Sequence, residues 1–310
     1  MTVAQRPDLY PTRVLGEAVP RPRTDPSVWG GAPGPLDGEQ LERYESDGYL
    51  VLDDLLSPQE VDLYLSELRR LGEDPELRAS ERVILEPDSD EVRSVFEVEK
   101  VSEIFAELLR SPRLTNIARQ VLDSEVYVHQ SRVNYKPGFG GAPFHWHSDF
   151  ETWHSEDGMP RPRAFSVSIS LTENHPFNGP LMVMPGTHKT FVPTVGATPQ
   201  DYHKESLRVA APSVGSPDRA HLTRMAEEHG IEQITGPAGS AVMFDSNLLH
   251  GSNGNLSPFA RSNVFIVYNS VENTLGAPYA ADAPRPQYLS NREFPSPPGH
   301  VGHPHPSPHR

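Results

Sequence analysis

After Ser124 the chain changes texture, and this break constrains the fold more than any other feature. Before it lie helix-like stretches; after it come short β-type runs at 125–135, 164–171, 179–184, 240–244 and 263–268, separated by Gly, Pro and Asn. Helices first and many short strands afterward predict a mainly β protein, a sandwich or barrel with helices packed outside it. The best helix start is Ser57, read as an N-cap with Pro58 at N1 and Glu60 at N3, opening a helix that ends near Gly72. Further helices are expected over 101–109 and 112–122, and over 220–229 within a long polar insert at 196–238, which reads as a lid or a surface excursion. The proline-rich ends, 1–35 and 295–310, are expected to be a flexible leader and a disordered His/Pro tail, leaving 36–294 as one domain.

A formal net charge of -15 argues against nucleic-acid or anionic-membrane partners, which demand basic patches. With no cysteine, any metal must be held by nitrogen and oxygen ligands. No run approaches a membrane span or a signal peptide, so the expected location is cytoplasmic.

The stretch "FHWHSDFETWHSEDGMPRPRA", residues 144–164, crowds histidines and carboxylates between aromatics. His147 and Asp149 stand at i and i+2, which in extended backbone points both to one side. His250 follows a later strand and opens a Gly/Asn-rich turn in "FDSNLLHGSNGN". Two histidines and one carboxylate on one face of an octahedron leave the other face open, as in non-heme Fe(II) oxygenases. Zinc would accept the same ligands, although no His-Glu-x-x-His helix is present. Arg261, eleven residues after His250, is either a carboxylate anchor for a 2-oxo acid or one half of an ordinary ion pair.

In this order and setting, His147, Asp149, His250 and Arg261 resemble the phytanoyl-CoA dioxygenase-like group of Fe(II)/2-oxoglutarate oxygenases, and "FHWHSDFETWHSEDGMPR" resembles the signature segment of its ectoine hydroxylases. The resemblance covers about 36–294. It implies a double-stranded β-helix (jelly-roll, cupin-like) core, Fe(II), and 2-oxoglutarate and O2 as cosubstrates. It implies hydroxylation of the compatible solute ectoine to 5-hydroxyectoine by a homodimer. His147, Asp149 and His250 match the iron ligands, and Asn134, Phe144, Ser252 and Arg261 fall where the family holds 2-oxoglutarate. For the substrate, a small zwitterion with an amidinium-like ring, aromatic faces from Trp153, Phe244 and Phe265 suit cation–π attraction, with Gln130 and Thr152 as polar contacts and Arg285 for the carboxylate. His145 and His154 are expected to support the ligands by hydrogen bonding rather than to ligate. Two other readings remain: hydroxylation of another amino-acid-like metabolite such as proline, and a noncatalytic cupin-like binding protein.

Overall fold

The computed structural model describes residues 7–87, 89–208 and 212–294. The first half runs β1 (Arg21–Pro22), α1 (Gly38–Asp47), β2 (Tyr49–Leu52), α2 (Pro58–Glu73), α3 (Pro75–Arg78), β3 (Val83–Leu85), β4 (Val92–Phe96), α4 (Glu103–Arg110) and α5 (Pro112–Leu122). The strand-rich half runs β5 (Val126–Lys136), β6 (Phe144–His147), α6 (Asp149–Asp157), β7 (Ala164–Ser170), β8 (Leu181–Val183), β9 (Thr190–Phe191), α7 (His203–Ser206), α8 (Arg219–His229), β10 (Glu232–Ile234), β11 (Ala241–Asp245), β12 (His250–Ser252) and β13 (Arg261–Ser270). The start of α2 is as expected: Ser57 Oγ accepts from the Glu60 backbone N–H, and the Glu60 side chain accepts from that of Ser57.

Seven strands form one sheet in the order β2-β11-β7-β13-β5-β4-β3, and four form another in the order β10-β8-β12-β6. From β5 onward the chain passes back and forth between them: β5, β7, β11 and β13 lie in the large sheet, and β6, β8, β10 and β12 in the small one. Every pairing within the two sheets is antiparallel. This is the double-stranded β-helix. Its two faces are readable in β13, where all ten residues are buried. Val264 and Ile266 pack with Leu71 of α2, Phe105 of α4 and Ile117 of α5, whereas Phe265 and Val267 join Val183 and Ile234 of the small sheet. Alternation along one strand therefore serves two cores, helices outside and the second sheet inside.

Two expectations are corrected. The insert is shorter than 196–238, because Glu232–Ile234 is a strand of the small sheet, paired with β8. The stretch before Leu36 is built into the fold as far as it is described. Tyr10 is buried with its ring 5.1 Å from those of both Phe150 and Phe191, and its hydroxyl donates to Asp25 at 2.6 Å. Proline-rich polar composition reads as mobility, but here it supplies an extended path between widely spaced anchors. The tail at 295–310 lies outside the described residues.

Candidate metal centre and its flanking cavities

β6 and β12 are neighbours in the small sheet, and their register sets His147 directly opposite His250, with ring centroids 4.3 Å apart. Asp149 is not on the strand with His147, as the i, i+2 reading had it. The strand stops at His147, Ser148 caps α6, and Asp149 is the first residue of that helix. The turn carries the carboxylate to 3.5 Å from His147 Nε2 and 3.8 Å from His250 Nε2. A helix N-terminus also favours an ionised carboxylate. One donor atom from each residue lies within 4.8 Å of the others, the spacing of a shared cation.

The imidazoles are pre-oriented. Nδ1 of His147 is 2.7 Å from the His145 carbonyl, and Nδ1 of His250 is 2.9 Å from that of Leu248. A carbonyl only accepts, so each Nδ1 carries the proton and each Nε2 presents its lone pair inward. Burial holds His250 down at about 4, so the ring is neutral at physiological pH. Burial works against ionising Asp149, but the nearby imidazoles and Arg132 outweigh it and keep the carboxyl at about 2. Asp149 Oδ2 is buried without a hydrogen-bond donor among the described residues. An orphaned carboxylate oxygen beside two inward lone pairs fits a divalent cation bound by N and O ligands, Fe(II) included.

Two cavities flank this centre. The larger, about 140 Å³, is lined by Gln130, Thr152, Trp153, Glu156 and Arg285, with His147, Asp149, Tyr202, Leu207 and Val214 also in its wall. The smaller, about 40 Å³, lies on the His250 side and is lined by Asn134, Phe144, Ser252 and Arg261. The four residues expected to hold 2-oxoglutarate are thus gathered at the smaller cavity, and Gln130, Thr152, Trp153 and Arg285 of the expected substrate group at the larger. Arg132 lines both cavities, as does Phe144.

Phe244 and Phe265, expected beside Trp153, instead line the smaller cavity, Phe244 with its ring 4.9 Å from that of His250. His154 supports no ligand: Nε2 pairs with Asp8 at 2.9 Å, Nδ1 with the Met159 carbonyl at 2.8 Å, and the ring stacks on Tyr279. His145 supports His147 through its carbonyl, not its side chain. Trp153 is almost fully buried, its ring 5.0 Å from and edge-on to His129, so it is a cavity wall and a core residue at once. Arg285 donates to Asp157 through Nε at 2.9 Å and Nη2 at 2.6 Å.

Arg261 is buried, its Nε has no acceptor, and no carboxylate lies within ion-pairing distance of it among the described residues. Burial alone lowers it to about 10. That removes the ordinary ion pair as an explanation. Beside it is a residue that the sequence reading missed. Lys136, also buried, donates to Ser252 Oγ at 2.9 Å and to the Asn253 carbonyl at 2.5 Å. Burial, then the positive charges of Arg261 and Arg93, lower it to about 6. The signal was present in the sequence: Gln130, Arg132, Asn134 and Lys136 stand at every second position of β5 and share its inner face. A buried guanidinium without an acidic partner, beside a lysine that an incoming anion would protonate, makes an anion site.

Fold and triad together define a non-heme metal oxygenase class, and the comparisons specify it. Residues 44–263 match the phytanoyl-CoA dioxygenase (PhyH) family, and the chain belongs to that family. It is 56% identical over 289 residues to the ectoine dioxygenase of Streptomyces coelicolor, covering 93% of this chain and 96% of that protein. To the ectoine dioxygenase of Nocardia farcinica it is 55% identical, with 93% and 95% covered. The crystal structure of EctD from S. alaskensis with 2-oxoglutarate and 5-hydroxyectoine matches with a TM-score of 0.84 at 44% identity, covering 94% of this chain and 96% of that one.

Proposed function

We propose that this protein hydroxylates ectoine: ectoine, 2-oxoglutarate and O2 become 5-hydroxyectoine, succinate and CO2. The observation that carries the reading is Arg261, a buried guanidinium without an acidic partner among the described residues, lining the cavity beside an open His-Asp-His centre, with Lys136 paired to it across the sheet. A binding module needs a metal face, but it has no use for a dicarboxylate anchor beside it.

His147, Asp149 and His250 hold Fe(II), which when bound supplies the O2 activation and oxidative decarboxylation of the keto acid. Arg261 takes the distal carboxylate of 2-oxoglutarate through charge-assisted hydrogen bonds, and Lys136 adds positive potential once the bound anion has drawn a proton onto it. Asn134, Ser252 and Phe144 shape that cavity, and Phe244 and Phe265 keep it dry. Across the triad, Trp153 offers the ectoine ring an aromatic face. Gln130 and Thr152 give polar contacts, and Arg285, already braced by Asp157, meets the substrate carboxylate. Tyr202, Leu207 and Val214 complete the cavity wall and help to exclude water while substrate is bound. The homodimer implied by the resemblance and the cytoplasmic location expected from the sequence belong to this proposal; among the described residues, no helix is long and apolar enough to cross a membrane.

The test is product analysis with Fe(II)-loaded protein. Succinate and 5-hydroxyectoine should form in equal amounts with ectoine, and little succinate should form with proline or no substrate. Succinate release driven by proline but not ectoine would refute the substrate, and no succinate under any condition would refute the enzyme.

A further inference from the structure

Helix α6 carries four residues of the larger cavity, Asp149, Thr152, Trp153 and Glu156, at i, i+3, i+4 and i+7. They therefore form a single stripe along the helix. Three have roles in the reading above; Glu156 has none. It sits two turns from Asp149, about 10 Å along the axis.

The acidic residues of this helix are satisfied very unequally. Glu151 accepts from Arg13 twice, at 2.7 and 3.1 Å, and from Thr12 and Thr194, each at 2.7 Å. Asp157 receives both arms of Arg285. Glu156 receives one N–H, from Arg13 Nη2 to Oε1 at 3.0 Å, and its Oε2 has no donor among the described residues. Yet Glu156 is only 4% exposed, and burial, the largest influence, raises its carboxyl despite the pull of Arg285 and Arg13.

The other charges around the cavity are balanced. Arg13 is engaged by Glu151, Arg93 by Glu86 at 2.9 Å, and Arg285 by Asp157. Arg132 has Asp149 as its counter-charge. What remains is one nearly buried carboxylate on the substrate side with half its hydrogen bonding unmet. Its presentation is deliberate in the physical sense: Arg13 holds it from a backbone with φ 54°, a strained conformation for a non-glycine residue.

We propose that Glu156 is the counter-charge for the delocalised cationic ring of the substrate, a specificity determinant that complements Arg285 at the substrate carboxylate. The inference rests on the ectoine reading and deepens it. A zwitterion is then recognised at both poles along α6, and Trp153 stacks between them. A neutral ring of the same shape leaves Oε2 of Glu156 nearly buried without a donor, which makes discrimination strong.

The experiment is anaerobic calorimetry on protein loaded with Fe(II) and 2-oxoglutarate. The ligands are ectoine and 6-oxopiperidine-2-carboxylate, a neutral ring of similar size bearing a carboxylate. Wild-type protein should bind ectoine at least about tenfold more tightly than the lactam. Glu156→Gln should weaken ectoine about tenfold or more, leave the lactam within about twofold, and leave 2-oxoglutarate binding unchanged. Equal wild-type affinity for the two rings would overturn the proposal, and so would an E156Q variant that loses both ligands alike or neither. Because binding is read without turnover, wild-type protein that binds ectoine but makes no hydroxyectoine would refute the functional reading while the Glu156 result still stands.

Discussion

Replacing Arg261 by Met separates anchoring from structure, because the aliphatic stem is retained and only the guanidinium is lost. Arg261 is buried beside Lys136 with no acidic partner, so the charge it presents is held for a ligand. Truncating one partner of a buried, hydrogen-bonded charge pair costs roughly 2 to 5 kcal/mol. Lys136 retains part of the local positive potential, which places the expected loss at about 2 to 4 kcal/mol, or roughly 30- to 1,000-fold in the 2-oxoglutarate KM. The ectoine KM should stay within about twofold, since Arg261 lines only the smaller cavity. Stability supplies an independent sign. Burial lowers Arg261 to about 10, so the charged side chain opposes folding in the empty protein. Arg261→Met should therefore leave the Tm of the empty protein unchanged or raised, while the Tm gain on adding 2-oxoglutarate disappears. Steady-state kinetics and thermal melts with and without 2-oxoglutarate measure both. A higher ectoine KM with an unchanged 2-oxoglutarate KM, or a sharply lower Tm without ligand, would refute the reasoning.

Replacing His147, Asp149 or His250 by Ala should reduce iron content and activity more than about a hundredfold with a folded protein by circular dichroism, since the loss of a direct ligand exceeds that of its supports; near-normal turnover by any of the three would remove it from the centre. Trp153→Ala should both lower the Tm, at a cost of about 3 to 5 kcal/mol for a buried aromatic, and reduce the hydroxyectoine-to-succinate ratio, with Trp153→Phe recovering part of each. If only the Tm falls, Trp153 packs the core and does not orient substrate. Lys136 is a base held at about 6, so above that pH the folded protein binds fewer protons than the unfolded chain. Stability without ligand should rise with pH from about 6 toward the ordinary lysine range, and 2-oxoglutarate binding at pH 8 should take up close to one proton. Calorimetry in buffers of different ionisation enthalpy measures that uptake, and its persistence in Lys136→Met would sink the assignment.

The parts of the site set by local periodicity were readable from the sequence, and those set by distant contacts were not. The capping box at Ser57 and the strand-rich half rest on neighbours within a few residues, whereas His250, 101 residues after Asp149, was read from its residue type and its place after a strand. Lys136 was readable from the polar alternation of β5 but passed over. The start of α6 was also encoded: "SDFE" is the S-x-x-E pattern of a helix N-terminus, and Ser148 does cap it. Glu151, however, does not complete a capping box. Its carboxylate faces Arg13, 138 residues away, and no window of sequence reports such a pair.

That long-range pair explains why the helix can serve two purposes. α6 is almost entirely buried, with acidic side chains at four of its nine positions, a composition that would favour solvent unless each charge were met. Arg13 meets Glu151, Arg285 meets Asp157, and the metal centre takes Asp149 in the proposed reading. The N-terminal segment is therefore part of what fixes the stripe formed by Asp149, Thr152, Trp153 and Glu156. Because the metal ligand and the proposed substrate contacts ride on one rigid helix, a small rotation of α6 would misplace the substrate relative to the metal. The buried ion pairs that resist this rotation set coupling as well as stability.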